Sequence, residues 1–196
     1  GIPEDDIIQI AIKSMSLDQL KPFCPKEKVI EMLLEADDDT QKLVDLSVKA
    51  FTEETSRESP APGGGTIAAC MGAMGAALGT MVANLSAHKR GWDERWEEFS
   101  RWAEKGQALQ SRLLRLIDDD TAAFNEIMAA FGMPKSNDEE KALRSAAIQT
   151  ATLHAAQVPL ETMKTAFEAF ALCKAMAENG NPNSISDAGG GALAIR

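Results

Sequence analysis

From Ser59 through Ala87 the chain carries no Asp, Glu, Lys or Arg, although 26% of its 196 residues are charged. No other feature restricts the fold as much. Pro60 and Pro62 keep a helix from running through the start of this stretch, because each lacks an N–H and biases its predecessor away from αR. Past Gly63-Gly64-Gly65, the segment Thr66 to Ser86 reads as a helix with one face almost bare of side chains. Its length and the Gly75-x-x-x-Gly79 spacing suit a membrane span, yet Ala and Gly carry its hydrophobicity while Leu and Ile are few. Gly72, Gly75, Ala76, Gly79 and Ala83 equally allow tight helix crossing inside a soluble core. Free N–H groups at a glycine-led helix start also suit an anion or a carbonyl. No Gly-Lys-Ser/Thr and no preceding strand pattern occurs, so this is neither a Walker nor a dinucleotide loop. The expectation is a buried, close-packed helix whose start borders a binding site.

Composition narrows the partners. The net charge of -10 argues against nucleic acid or an acidic membrane surface. Cys24, Cys70 and Cys173 are odd in number and far apart, and the two histidines are His88 and His154. Neither a disulfide framework nor a metal site is therefore expected. No signal-peptide pattern stands at the N-terminus, and Gly1 in place of a Met marks a cut boundary. The expected compartment is the cytoplasm.

Periodicity predicts helices throughout, in an all-α helical bundle. There is no Tyr, and no alternating segment stands between turn dipeptides. A short first helix holds Ile7, Ile8, Ile10, Ala11 and Met15, and a second runs from Lys26 to Glu35. A third, between Asp39 and Glu58, turns Leu43, Leu46, Val48 and Phe51 inward. After the glycine helix, Ala87 to Gly91 form a turn. A long helix from about Trp92 to Phe131 has the inner stripe Trp92, Trp96, Phe99, Leu109, Leu113, Leu116, Ile117, Phe124, Ile127 and Phe131. Gly132 to Asn137 break the pattern, with Asn137 or Asp138 as cap. Helices at Ser145–Ala155 and Pro159–Glu178 follow, then a last one capped by Ser186 or Asp187.

Some residues break these patterns. Asp120 falls in the middle of the arc of Leu113, Ile117, Phe124 and Phe131, whereas Asp118 and Asp119 lie outside it. A carboxylate on a core-facing stripe must be bonded, paired or neutralised, so Asp120 is either a structural contact or a proton carrier. Lys174 shares a face with Met163, Phe167 and Phe170; it either snorkels or pairs with Asp120 or a substrate carboxylate. His154, on the face of Leu143 and Ala147, reads as a core histidine. Met71, Met74 and Met81 read as core filler. Glu139-Glu140 and Asp37-Asp38-Asp39 read as solvated helix starts. The loop Asn181 to Asp187 is rich in groups that satisfy helix ends or bind the edge of a heterocycle. His88-Lys89-Arg90 is a compact basic cluster.

Together these residues carry a resemblance. Ser59-Pro60-Ala61-Pro62-Gly63-Gly64-Gly65 entering a Gly/Ala-rich helix with Met81-Val82-Ala83-Asn84-Leu85-Ser86 resembles the cyclodeaminase/cyclohydrolase family, the C-terminal half of formiminotransferase-cyclodeaminase. Asp118 to Phe124, Val158-Pro159-Leu160 and Gly180 to Asp187 follow in the family's order. The likeness covers residues 38–196, the cyclodeaminase part. Residues 1–37 are similar to the segment that joins it to the transferase half in bacterial fused enzymes. Against the family pattern the chain is C-terminally incomplete, and Gly190 replaces an expected bulkier residue, which should loosen the last helix.

The resemblance implies an all-helical domain of long antiparallel helices that forms a homodimer or higher oligomer, with a folate site near the interface. It implies conversion of 5-formiminotetrahydrofolate to 5,10-methenyltetrahydrofolate and ammonia in histidine degradation, with a formiminotransferase domain in cis. No cofactor beyond the tetrahydrofolate, polyglutamylated or not, is implied, and no metal, nucleic acid or membrane. Asp120 is then the leading proton-transfer residue and Asp187 the second carboxylate. Ser59, Gly63, Gly64 and Asn183 would hold the pterin or the amidine, and Lys89, Arg90 or Lys174 the glutamate tail. A methenyltetrahydrofolate cyclohydrolase and a non-catalytic helical dimerisation module are the alternatives.

Overall fold

A computed structural model describes residue 2 and residues 4–19, 21–30, 32 and 42–196. Among them the helices are α1 (Glu4–Ser14), α2 (Pro25–Lys28), α3 (Val48–Thr55), α4 (Gly64–Ala87), α5 (Trp96–Gly132), α6 (Asp138–Asn179) and α7 (Ile185–Ile195). No strand occurs among the described residues, and the fold is all-α. Asp37, Asp38 and Asp39 lie outside the described residues, as does much of the second predicted helix.

The charge-free run is α4, and it is the axis of the structure. It is long and apolar enough to cross a membrane by length and composition, but more than half of its most apolar stretch is buried by its neighbours. Its glycines set the distance to those neighbours. Gly72 faces Leu113 of α5, Gly106 of α5 faces Thr80, and Gly79 faces Leu172 and Cys173 of α6. Gly75 and Gly191 meet so closely that a Cβ on Gly75 would stand 2.7 Å from the Gly191 carbonyl. Bulk at these crossings would push the helices apart and open voids in a close-packed interior.

That closeness decides which stripe of each helix goes inside. On α6 the buried stripe is Val158, Thr162, Thr165, Ala169, Leu172 and Met176, at alternating four- and three-residue steps. The parallel stripe of larger residues, Met163, Phe167, Phe170 and Lys174, faces outward, and Phe167 is 76% exposed. Met71, Met74 and Met81 of α4 are likewise exposed. Periodicity had put these large side chains inside; around α4 the glycine and alanine crossings leave the buried α6 stripe to Val158, Thr162, Thr165, Ala169, Leu172 and Met176 instead. Trp96 and Phe131, at the ends of the predicted α5 stripe, are also exposed, as is Val48 at the first turn of α3.

Pro159 does not start a helix. It lies within the 42 residues of α6. Proline removes one intrahelical bond at a cost of about 3 kcal/mol, and the buried stripe on both sides of it outweighs that loss. Asn137 caps α6, its side chain accepting from the Glu140 N–H, while the Glu140 carboxylate accepts from Ser136 N–H. Ser184, not Ser186 or Asp187, is the N-cap residue of α7, and Asp187 sits in its first turn.

The core has two stations along α4. Near its start, Ala69, Ala73 and Ala76 pack with Leu113, Ile117, Val158 and Ala166, and Phe51 of α3 leans on this group. Near its end, Val82 and Ala83 pack with Phe99, Leu172, Met176 and Ala188. Phe99 and Leu113 are fully buried, each contributing about 1.5–3 kcal/mol of transfer free energy.

Candidate functional site

At the first station, Gly63 is the N-cap of α4 and its carbonyl accepts from Ile67 N–H. The N–H groups of the first turn, from Gly64 on, have no carbonyl behind them to bond. Ser59 closes the proline loop by donating to the Ala61 carbonyl at 2.8 Å. Gly64 is exposed, with nothing within 4 Å of where a Cβ would be. Gly65 is different: a Cβ there would lie 2.7 Å from Asp120 Cγ and overlap Oδ1.

The three aspartates on α5 divide the work. Asp118, which helical phase alone put outside the inner arc, is half-buried. It accepts from Leu43 N–H at 2.7 Å and Val44 N–H at 3.4 Å, pinning the turn Leu43–Asp45 to the bundle. Asp119 is exposed. Asp120 is half-buried and lies on the start of α4, where Oδ2 accepts from the Thr66 hydroxyl at 2.8 Å. Thr121 Oγ1 stands 3.4 Å from Thr66 Oγ1.

Beside Gly65 opens a cleft of about 430 Å³, walled by Pro159, Thr162, Phe167 and Phe170 of α6 and closed by Ile195 and Arg196. A mostly apolar cleft with a carboxylate against one of its lining residues can hold an aromatic ring and move a proton beside it.

The other predicted site residues lie elsewhere. Lys89 and Arg90 follow the far end of α4, about 36 Å from Gly64 at 1.5 Å per residue. There Lys89 Nζ sits 4.1 Å over the Trp92 ring, and Arg95 stacks on Trp92 and Phe99. The Asn181–Asp187 segment is at that end too, since Asn181 N–H donates to Ser86 Oγ at 2.8 Å. Asn183 is exposed, its N–H donating to Asn181 Oδ1. Asp187 is half-buried in the first turn of α7, where a negative charge favours the helix. Lys174 is exposed beside Glu178, 3.9 Å away, and is not a partner of Asp120. His154 is not a core residue: it is exposed enough to pair with Glu126 at 2.8 Å on the surface. Thus one chain brings Gly63 and Asp120 together on Thr66, with Ser59 and Gly64 close to Gly63 along the chain, and holds Asn183, Asp187, Lys89 and Arg90 apart from them. Gly65, Thr66 and Thr121 escaped the sequence reading. Thr66, a hydroxyl three residues into a helix within a charge-free run, was the available signal.

Two thiols are shielded rather than activated. Burial pushes the Cys173 thiol up to about 11 and raises that of Cys70 as well, the opposite of what a nucleophilic cysteine needs.

Residues 47–196 match the family model described as formiminotransferase-cyclodeaminase. The chain belongs to this family. Within it, the formimidoyltransferase-cyclodeaminase of Rattus norvegicus is 34% identical over 186 residues, which is 95% of the chain and 34% of that protein. The chain thus spans about a third of the length of this relative. The methenyltetrahydrofolate cyclohydrolase of Methylorubrum extorquens is 43% identical over 143 residues, covering 73% of the chain and 69% of the relative. A crystal structure of formiminotetrahydrofolate cyclodeaminase from Thermotoga maritima shares the fold with a TM-score of 0.68, at 30% identity over 79% of this chain and 73% of that one.

Proposed function

We propose that this chain is the cyclodeaminase domain of a formiminotransferase-cyclodeaminase, a folate ammonia lyase that converts 5-formiminotetrahydrofolate to 5,10-methenyltetrahydrofolate and ammonia. The observation that carries this reading is the reach of the likeness. The rat bifunctional relative aligns with 186 residues, and the cyclohydrolase with 143. Segment 1–37 would then be the joint to a transferase domain in cis and 38–196 the cyclodeaminase, acting in the cytoplasm in histidine degradation. Pairs of its long antiparallel helices would build a homodimer or higher oligomer that needs neither membrane nor nucleic acid.

The chemistry needs one proton carrier. N10 attacks the formimino carbon and forms the C–N10 bond; the C–N bond to the amino nitrogen then breaks. The formimino group enters as its protonated amidinium, so the –NH2 left by the attack takes the proton lost by N10 and leaves as ammonia, and the methenyl product carries the positive charge. A carboxylate that accepts the first proton and returns it to the second nitrogen is restored at the end, and no electrons change hands. Asp120 would be this carrier: its carboxylate lies against Gly65, and Gly65 lines the cleft in which Phe167 and Pro159 would hold the pterin ring. Ser59, Gly63 and Gly64 would frame the ring's edge, and no cofactor beyond the folate takes part. Asn183, Asp187, Lys89 and Arg90 could reach that folate only from a second copy.

The second reading, a methenyltetrahydrofolate cyclohydrolase, is favoured by the higher identity to the Methylorubrum enzyme. One assay separates them. The natural polypeptide carrying these residues is offered 5-formiminotetrahydrofolate and methenyltetrahydrofolate, and methenyl absorbance is followed. Ammonia-coupled appearance of the methenyl band supports the lyase. Disappearance of that band alone supports the hydrolase, and no change with either overturns both.

A further inference from the structure

The hydroxyl of Thr66 has one proton to give, and it goes to Asp120 Oδ2 at 2.8 Å. Both remaining neighbours, Gly63 N–H at 3.4 Å and Thr121 Oγ1 at 3.4 Å, must therefore be donors to it. The hydrogen bonds run one way, from Thr121 through Thr66 to Asp120. Thr66 is wholly buried, and its χ1 is stiff because it is β-branched. Rotating the Thr66 side chain would break all three of these contacts. Asp120 Oδ1, by contrast, has no hydrogen-bond donor among the described residues. It lies against Gly65, where a Cβ would overlap it, and Gly65 lines the cleft.

The geometry points to Thr66 as the positioning residue for Asp120: it holds Oδ2 so that Oδ1 is the oxygen presented at the cleft, with Gly65 supplying the clearance. This deepens the lyase reading and rests on it for the role of Asp120. It also explains a pairing that periodicity cannot: a glycine and a threonine, adjacent in the first turn of α4, serve a carboxylate on another helix.

The test uses Thr66→Val, which keeps the shape and removes the hydroxyl, and Thr66→Ser, which restores it. With 5-formiminotetrahydrofolate, T66V should lower kcat by on the order of 10–100-fold while KM stays unchanged, as a misplaced reacting group does. T66S should recover most of that rate. Equal kcat in T66V and parent would overturn the proposal, and so would equal losses in T66V and T66S, which would make the methyl packing responsible. Gly65→Ala, in which the hydroxyl remains, should lose rate by displacing Asp120. If the parent turns over neither folate, the lyase reading fails, and crystal structures decide the positioning. A swung Asp120 side chain in T66V supports it; an unmoved one overturns it.

Discussion

The two ends of α4 are built from similar materials and do different things. Each gathers small residues, a loop and charged side chains around the same helix. At the far end the described contacts are structural: Lys89 and Arg95 cover Trp92 and Phe99, and Ser86 ties down the Asn181 loop. At the entry end, among the described residues, a carboxylate is held by one oxygen only, beside an open cleft, where a glycine keeps the space clear. The difference shows that polar residues near a helix end are not a site by virtue of number. What distinguishes the entry end is a group left with bonding capacity where a ligand can reach it.

The largest expected effect separates the two ends directly. Asp120→Asn should keep the fold and lower kcat by about 10²–10⁴-fold, the usual worth of a positioned proton carrier. Asp187→Asn, at the other end, should keep parental kcat when both are assayed with 5-formiminotetrahydrofolate. If the two losses are equal, the comparison breaks, and the far end enters the site from a second copy.

A smaller effect should appear at the far end as stability alone. Phe99→Ala removes a fully buried ring beneath Arg95 and Trp92, and denaturant unfolding should show a loss of about 3–5 kcal/mol. Turnover per folded molecule should not change. A variant that stays stable but loses turnover would make this end functional.

The smallest effect concerns α7, which packs along α4 between the two. Gly191 must remain small against Gly75, but at Gly190 a Cβ would meet only Leu78 Cδ1 at 3.9 Å. Gly190→Ala should therefore raise the stability by about 0.4–1 kcal/mol, seen as a higher midpoint in the same unfolding experiment. Destabilisation would mean that the helix needs its looseness.

Much of this was legible in the sequence. The charge-free run and its proline entry gave α4, and phase turned Asp120 of α5 inward, but it missed that Asp118 is half-buried too, bonded to the Leu43–Asp45 turn. The inner stripes were read less well, for one reason. Periodicity ranks positions by size and apolarity, so it chose Met163, Phe167 and Phe170 on α6 and Met71, Met74 and Met81 on α4. With glycine at the crossings, the neighbouring helices come too close for those side chains at these positions, and the inside of α4 is lined mostly by Ala, Gly and Thr, with Leu113, Leu172 and Met176 from its neighbours packed against it. Distance along the fold was the other blind spot. Lys89, Arg90, Asn183 and Asp187 looked like companions of Gly63 because the motifs are few, yet the whole length of α4 lies between them. Thr66 was hidden because a hydroxyl inside an apolar run announces nothing until its partner is known to be Asp120.

A crystal structure with a non-reacting folate analogue tests the central claim most directly. The account predicts the ring in the cleft beside Gly65, against Phe167 and Pro159, with a ring or amidine nitrogen within hydrogen-bond distance of Asp120 Oδ1. An analogue seated instead by Lys89 and Arg90, with Asp120 out of reach, would contradict it.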